Sequence, residues 1–313
     1  MVLACDGKAI MSKALLFCSV CIFICVGTPA NSQYYFYNSR YYDALFTYEL
    51  GASAGAMNCL TDLGGRHEKS KKFVGDVNWG ATHACSGLFA GINYNNIVCV
   101  RAELAWGQVS ACDSILKKYT SASNGRYIRN LSFRSDIREL SLVTDLYLLS
   151  IFREANPSLS PYLITGIGFY NFHPQTVWNN SLVSLPSLHT EGQGWNEYPY
   201  RRLYKLNQLN IPLGAGFRYE TGPRLSIRAE LVYRWLFTDY LDDVSTNYIN
   251  PAQFYRHLSP QLAALAEKLA DRRHGMGYPP TNHENEIRGN SSKDAFFSVE
   301  IKCSLVLGRR KIP

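Results

Sequence analysis

Three acidic side chains lie close together in one segment of this 313-residue chain. Asp239, Asp242 and Asp243 fall within five residues, around Tyr240 and Leu241. Carboxylates at this density could bind a hard cation such as calcium. The alternating acidic spacing of calcium loops, which includes a glycine, is absent, and Asp side chains also hydrogen-bond within turns. We therefore favour a turn-capping role, and we predict no metal site and no cofactor.

A second segment, Thr190-Glu191-Gly192-Gln193-Gly194, is rich in glycine. Its glycines permit tight turns. Phosphate-binding loops need a following Lys-Ser/Thr pair and a strand-to-helix context, and the sequence has neither here. The segment therefore predicts a turn and no nucleotide site.

His83 and Ser86 are the residues closest to a nucleophilic pair. An outer-membrane lipid-modifying enzyme would need a His, a Ser and a carboxylate near the outer leaflet. These two residues are three positions apart in a segment that alternates like a strand, which places them on opposite faces. We therefore predict no catalytic residues. Lipid modification remains one alternative function, and adhesion through long surface loops is another.

Charged and apolar residues alternate with a period of two, which is the signal of β-strands. In Leu225–Phe237 the odd positions are apolar or aromatic, whereas the even positions include Arg228, Glu230 and Arg234. Such segments are typical of transmembrane barrels, which have lipid outside and a polar interior. Eight segments fit: Phe46–Asn58, Thr82–Tyr94, Ile97–Val109, Asp136–Ile151, Pro161–Phe172, Gln208–Tyr219, Leu225–Phe237 and Phe297–Leu307.

The connections between these segments alternate between short and long. The short ones cover residues 95–96, 152–160 and 220–224; the long ones cover 59–81, 110–135, 173–207 and 238–295. Outer-membrane barrels have short periplasmic turns and long outer loops. A soluble β-sandwich would explain the alternation but not this asymmetry. We predict an all-β, eight-stranded, antiparallel up-and-down transmembrane barrel over residues 45–307.

Outward aromatic residues are predicted to form two belts, as expected at the two membrane interfaces. The periplasmic belt comprises Phe46, Tyr48, Tyr94, Phe217 and Tyr219, and the outer belt comprises Trp106, Tyr233, Trp235, Phe237 and Phe297. In the last outer loop, Ser259-Pro260 marks a helix start. The helix should carry an apolar stripe of Leu262, Leu265, Ala266 and Leu269, which packs on the barrel mouth or on a partner.

The inward positions carry six acidic and five basic side chains. They are Glu49, Arg101, Glu103, Glu139, Asp145, Arg218, Arg228, Glu230, Arg234, Glu300 and Lys302. Unpaired charges in a confined interior are costly, so these groups should pair. An ion path is the alternative. Because side chains can fill an eight-stranded barrel, we predict a salt-bridged plug with negligible conductance.

The N-terminus has the layout of a secretion signal, with translation from Met1 or Met11. Lys8 and Lys13 precede an apolar run that is too short to span a membrane, and small residues follow. We predict a cleaved signal over 1–32, a periplasmic segment over 33–44 and a C-terminal tail over 308–313. The protein should therefore reside in the outer membrane, in contact with its lipid.

Five cysteines remain after the signal. An odd number leaves at least one free. Cys59 and Cys85 should lie at the outer ends of adjacent strands, so we expect a disulfide between them, with Cys112 as a competing partner. Cys99 and Cys303 should be free. The formal charge of +7 is scattered, without a basic patch, so we predict no nucleic-acid partner, and no small-molecule substrate is identified.

Four segments resemble the motifs of a Bacteroidota outer-membrane family of unknown function. They are Phe73-Val74-Gly75-Asp76-Val77-Asn78, Thr190–Gly194, Phe237–Ser245 (including Tyr240), and Arg288-Gly289-Asn290 followed by Asp294–Phe297. The similarity covers about residues 44–307. The family includes the PorG component of the type IX secretion system. The resemblance implies an OmpA-like eight-stranded barrel without catalytic residues, and a PorG-like role in anchoring periplasmic ring proteins of that machine to the outer membrane.

Overall fold

The computed structural model describes residues 41–42, 45–64, 77–118, 124–152, 159–222, 224–281, 284 and 286–311. The expected signal peptide (1–32), most of the segment 33–44, and Gly75 and Asp76 of the first motif lie outside the described residues. No helix in the described ranges is long and apolar enough to cross a membrane.

Eight long strands form the body of the protein. They are β1 (Phe46–Leu60), β2 (His83–Tyr94), β3 (Val98–Cys112), β4 (Ser132–Tyr147), β5 (Leu159–Trp178), β6 (Asn207–Glu220), β7 (Leu225–Leu236) and β8 (Ala295–Leu307). Each strand pairs antiparallel with its neighbours in sequence, and β8 also pairs with β1, with Val299 opposite Ala56. The sheet is therefore a closed eight-stranded antiparallel barrel, which confirms the predicted fold class.

The period-two pattern places alternate side chains of each strand inside and outside the barrel. In β2, buried and exposed residues alternate from Cys85 to Tyr94. The exposed positions of the barrel are mainly leucine, isoleucine, valine and aromatic residues; Ile167, for example, is 64% exposed. A contiguous apolar exterior of this kind belongs against lipid rather than water.

The two ends of the barrel differ. At the short-turn end, Asn95 and Asn96 both have positive φ, as a tight two-residue hairpin turn requires. The turn after β4 contains helix α2 (Leu148–Phe152). A two-residue pairing of Tyr41–Tyr42 with Arg310–Lys311 lies outside the barrel sheet. All the long connections are at the other end, which we call the long-loop end.

Several strand boundaries differ from the predicted ones, and three of the larger differences show how the sheet is built. β4 ends at Tyr147 rather than Ile151, because the chain turns helical at Leu148. β5 continues to Trp178, six residues past the predicted end, and folds back on a short strand, Ser181–Ser184, through a turn at Asn179 and Asn180 with positive φ. β3 continues to Cys112, which pairs with Ser132 of β4. The sheet therefore extends beyond the apolar exterior on this side of the barrel.

The long connections fold into a compact layer over the barrel mouth. We call the described residues of 185–206 and 238–294 the cap. The helices at this end are α1 (Asn124–Arg129), α3 (Pro251–His257) and α4 (Pro260–Ala270), with 3-10 turns at Trp79–Ala81, Asp113–Lys118, Pro186–Leu188 and Arg273–Met276. Cap residues such as Leu241 and Phe254 share one buried apolar cluster with Tyr170 and Phe296 of the barrel wall. The cap is therefore packed onto the barrel.

The predicted helix in the last loop is confirmed as α4, but its buried face differs. Ala263, Ala266 and Leu269 are buried, whereas Leu262 is 42% exposed. The predicted stripe included Leu262 and omitted Ala263. Small alanines face inward because the helix lies close against its neighbours.

Most of the outward aromatics match the predicted belts, but Tyr219 and Tyr233 are half-buried and one residue is buried. Phe46, Tyr48, Tyr94 and Phe217 are exposed at the short-turn end, and Trp106, Trp235 and Phe237 are exposed toward the long-loop end. Phe297 is buried instead. It pairs with Asn58, whose side chain donates to the backbone oxygen of Asn78, so the chain before β2 covers this part of the wall.

Candidate functional site

The barrel interior holds a cluster of paired charges. All eleven inward side chains are buried, and each forms at least one ion pair. The pairs join Glu49, Arg101, Glu103, Glu139, Asp145, Arg218, Arg228, Glu230, Arg234, Glu300 and Lys302. We call this set the interior network. Because every charge has a partner of opposite sign, the network avoids the cost of an isolated buried ion.

The interior network crosses the barrel rather than lining its wall. Arg101 on β3 contacts Glu230 on β7, with 2.8 Å between Nη1 and Oε1. Lys302 on β8 donates to Glu103 on β3 at 2.7 Å. Arg228 on β7 contacts Asp145 on β4 at 2.7 Å. These pairs join strands that are not neighbours, so they fill the lumen.

Aromatic rings occupy much of the remaining interior. The rings of Tyr147 and Tyr162 lie 5.3 Å apart. Tyr162 donates its hydroxyl to Glu230 at 2.6 Å, and the Arg228 guanidinium lies 5.3 Å from the Tyr162 ring centre. Cations are attracted to aromatic faces, so these rings also hold the arginines in position. The interior is therefore a packed plug of charged and aromatic side chains.

In the cap, Glu191 joins its own segment to two others that resemble family motifs. Its carboxylate is fully buried and accepts hydrogen bonds from the backbone amides of Ser245 and Thr246 and from the Thr246 hydroxyl. It also pairs with Arg288 at 2.9 Å. The third and fourth long connections are therefore joined at one buried carboxylate, which we call the Glu191 clamp.

Asp243 is a second junction of the same segments. Its carboxylate accepts from the hydroxyls of Thr190 and Tyr204, both at 2.6 Å, and its backbone oxygen accepts from Arg288. Burial raises the pKa of Asp243 to about 6, against the opposing effect of Arg288. The residue has positive φ, in the left-handed region that Asp tolerates. Asp243 therefore joins separate loops, whereas Asp242, whose Oδ1 accepts from the Val244 amide at 2.9 Å, makes the local turn hydrogen bond that we favoured from the sequence.

The backbone amides of the glycine-rich turn donate hydrogen bonds to other groups of the protein. The amides of Gly192 and Gly194 donate to the backbone oxygens of His189 and Arg201, each at 2.7 Å. The Glu191 amide donates to the Gln193 side chain at 3.1 Å. These three amides are therefore unavailable to a phosphate group. Both glycines have positive φ, which explains why glycine stands at these positions.

Four carboxylates gather where the cap meets the barrel rim. We call Asp62, Asp239, Asp242 and Asp294 the rim carboxylates. Burial is the largest cause of their raised pKa values, and it raises the pKa of Asp62 to about 6 and that of Asp239 to about 8. Burial, together with the neighbouring carboxylates, also raises the pKa values of Asp242 and Asp294 well above their usual range. Among the described residues, no group of acidic, His and Cys side chains has an arrangement suited to a metal ion.

Two more groups hold the first long connections to the cap. Arg129 contacts Asp113 at 2.7 Å and donates to the backbone oxygens of Asp62 and Arg288. The Asp62 carboxylate accepts from the Asn290 amide. Sequence reasoning missed Arg129, Asp113 and Asp62, because isolated charged residues in loops look the same whether they are solvated or buried. Asn78, from the first motif, caps the 3-10 turn Trp79–Ala81 instead.

His83 does not contact Ser86. Its Nε2 lies 2.7 Å from the hydroxyl of Ser110 at the end of β3, and Ser86 is exposed on the barrel exterior. No carboxylate hydrogen-bonds to His83 among the described residues. The arrangement therefore lacks the third group that would orient a catalytic histidine.

The expected disulfide between Cys59 and Cys85 is absent. Neither residue forms a disulfide, and the same holds for Cys99, Cys112 and Cys303 within the described part of the chain. The register places Gly55, not Cys59, opposite Cys85. Four residues of strand correspond to about 13 Å, too far for a disulfide.

A closed eight-stranded antiparallel barrel with an apolar exterior and a charged interior is a transmembrane β-barrel, the class that spans bacterial outer membranes. No protein-family model matches the chain, and no curated protein matches it. Solved structures that are similar in fold are outer-membrane barrels.

The attachment invasion locus protein Ail of Yersinia pestis, crystallised with the heparin analogue sucrose octasulfate, is 9% identical. The match covers 86% of this chain and 100% of Ail, with a TM-score of 0.33. A major outer membrane protein of Thermus thermophilus is 12% identical, over 84% of this chain and 100% of that one, with a TM-score of 0.38. The N-terminal barrel domain of Pseudomonas aeruginosa OprF is 8% identical, over 85% and 100%, with a TM-score of 0.31.

Proposed function

We propose that the protein is a non-enzymatic outer-membrane barrel that serves as a structural or anchoring component. The observation that carries this proposal is the ion-pair network across the lumen, in which Arg101 of β3 reaches Glu230 of β7. A lumen crossed by ion pairs and covered by a packed cap is a rigid cylinder rather than a pore. In the usual orientation, its short turns face the periplasm and its cap faces outward.

We further propose a PorG-like role in type IX secretion, with periplasmic ring proteins as partners. The support is the resemblance of four segments to motifs of the family that includes PorG. Three of those segments contact one another at the Glu191 clamp, through Glu191, Ser245 and Arg288. Segments that a family shares as one structural unit are expected to meet in this way.

The turn with α2 offers a test of the anchoring surface. Ile151 on this short-turn end is 48% exposed. In the proposed orientation it faces the periplasm, where a ring protein would bind. Ile287 of the cap is 72% exposed and provides a matched control on the opposite end.

The experiment combines pull-down with deletion. The tagged protein should co-purify periplasmic ring proteins from crosslinked cells, and deletion should stop type IX export. Ile151→Asp should weaken the co-purification, whereas Ile287→Asp should not. If deletion leaves export normal and no ring protein co-purifies, the anchoring role in this machine is wrong. The proposal that the protein is a closed structural barrel would be unaffected, because conductance in planar bilayers tests it separately.

A further inference from the structure

The exterior of β3, β4 and β5 changes from apolar to polar within one row of the sheet. Leu104, Leu140 and Phe169 lie side by side on the three strands and form the last apolar row. The next row toward the long-loop end consists of Trp106, Arg138 and Asn171, and it is the first that contains polar side chains. The three apolar residues are 44%, 54% and 50% exposed. An aromatic residue next to the end of an apolar belt marks the height of the lipid headgroups.

Arg138 lies at this boundary. It is exposed and directly opposite Trp106, and its side chain has no hydrogen bond or ion pair among the described residues. A long arginine side chain can lie along an apolar surface while its guanidinium reaches water or headgroups. The group is therefore free to bind an anion at headgroup height.

Arg134 adds a second cation two rows farther out. Its nearest carboxylate is Asp136 at 4.0 Å, and these two side chains are 49% and 63% exposed. Asp136 is also bound by Gln108 at 2.6 Å. The exterior face of Arg134, Asp136 and Arg138 therefore has two guanidinium groups and one carboxylate, and it carries net positive charge.

We propose that this face, together with Trp106, binds the phosphate group of a lipid in the outer-facing leaflet. The guanidinium fork matches phosphate oxygens and can bind two of them at once. The site continues directly from the apolar belt, so a phosphate attached to acyl chains gains contacts that free phosphate lacks. This continuity favours a lipid over a soluble anion.

Native mass spectrometry of the folded protein in non-ionic detergent tests the proposal. The probes are lipid A with two phosphates and the same lipid after enzymatic removal of both. The wild-type protein should bind the phosphorylated form more tightly. Arg134→Gln with Arg138→Gln should lower its affinity by about tenfold or more. The control is Arg256→Gln, on the exposed surface of α3, which should change nothing.

Three results would overturn the proposal. One is wild-type affinity in the double variant, and another is equal binding of the dephosphorylated lipid. The third is complete competition by millimolar inorganic phosphate, which would assign the site to a soluble anion. Heat-dependent gel mobility establishes that each variant is folded, and Arg138→Lys should retain intermediate affinity, because it keeps the charge but loses the fork.

Discussion

The guanidinium of Arg101 on β3 lies 2.8 Å from the carboxylate of Glu230 on β7. In an eight-stranded closed sheet these strands are on opposite walls. Arg101 also pairs with Asp145 at 2.8 Å, and both arginine and aspartate are completely buried. The barrel is therefore bridged across its full width by charged side chains.

The first prediction concerns conductance. In planar bilayers the wild-type protein should show no steady single-channel currents, because the interior network fills the lumen. A variant whose cap residues 246–287 are replaced by a short Gly-Ser linker should remain closed, since the network lies below the cap. Steady currents from the wild-type protein would show that the interior is an ion path.

The second prediction concerns Arg228, which contacts both Glu49 and Asp145. Arg228→Leu leaves two buried carboxylates without this partner, so it should lower the free energy of unfolding by about 3–5 kcal/mol. Urea unfolding in lipid vesicles measures the change. Arg256→Leu, on the exposed cap surface, should change it by less than about 0.5 kcal/mol. Equal effects of both substitutions would argue against an energetic role for the network.

The third prediction concerns the Glu191 clamp. Glu191→Gln removes the negative charge that accepts hydrogen bonds from two backbone amides and pairs with Arg288. The free energy of opening the cap should therefore fall by about 3 kcal/mol. Amide hydrogen exchange should speed up at Ser245 and Thr246, while the barrel strands keep their protection. Glu284→Gln, at an exposed cap position, should leave exchange unchanged. Uniform exchange across cap and barrel would mean that the cap does not open separately.

The fourth prediction concerns pH. The folded-state pKa of Asp239 is raised to about 8, and that of Asp62 to about 6, whereas the pKa of an unfolded aspartate is ~3.9. A raised carboxyl pKa stabilises the cap at low pH, where the group is protonated, and this stability is lost as pH rises through the folded pKa. The cap should therefore loosen between about pH 4 and pH 8, with the part above pH 6 due to Asp239.

Hydrogen exchange at Leu241 and Ser245, corrected for the intrinsic pH effect, measures this loosening. Asp239→Asn removes the group that titrates near pH 8 and should flatten the upper part of the profile. A wild-type profile that is flat, or that shows tightening with rising pH, would contradict the prediction.

The fifth prediction concerns the thiols. Mass mapping under non-reducing conditions should find Cys59 and Cys85 unbridged. Cys303 is exposed on the lipid-facing side, so a membrane-permeant maleimide should label it before the buried Cys99. A peptide joining Cys59 to Cys85 would require a different register between β1 and β2.

The barrel was predictable from the sequence because the alternation of apolar and charged residues that specifies it is visible within each strand. Side chains of a strand alternate between faces, so the charges of Leu225–Phe237 and the leucines beside them specify which face meets lipid. The observed strand, Leu225–Leu236, differs by one residue. The eleven interior residues followed from the same parity. The predicted end of β4 was wrong because Leu148–Phe152 is mainly apolar, and such a short apolar segment is equally compatible with a strand or a helix.

What only the tertiary structure decided is which charges meet. Parity places Arg101 and Glu230 in the interior, but their contact depends on the closure and register of strands far apart in the chain. The same holds for Glu191 and Arg288, separated by 97 residues. The sequence by itself determined an apolar exterior, a charged interior and loops at one end. Closure of the sheet and packing of the loops then made the interior a plug and the loops a cap, because both depend on contacts that no local pattern encodes.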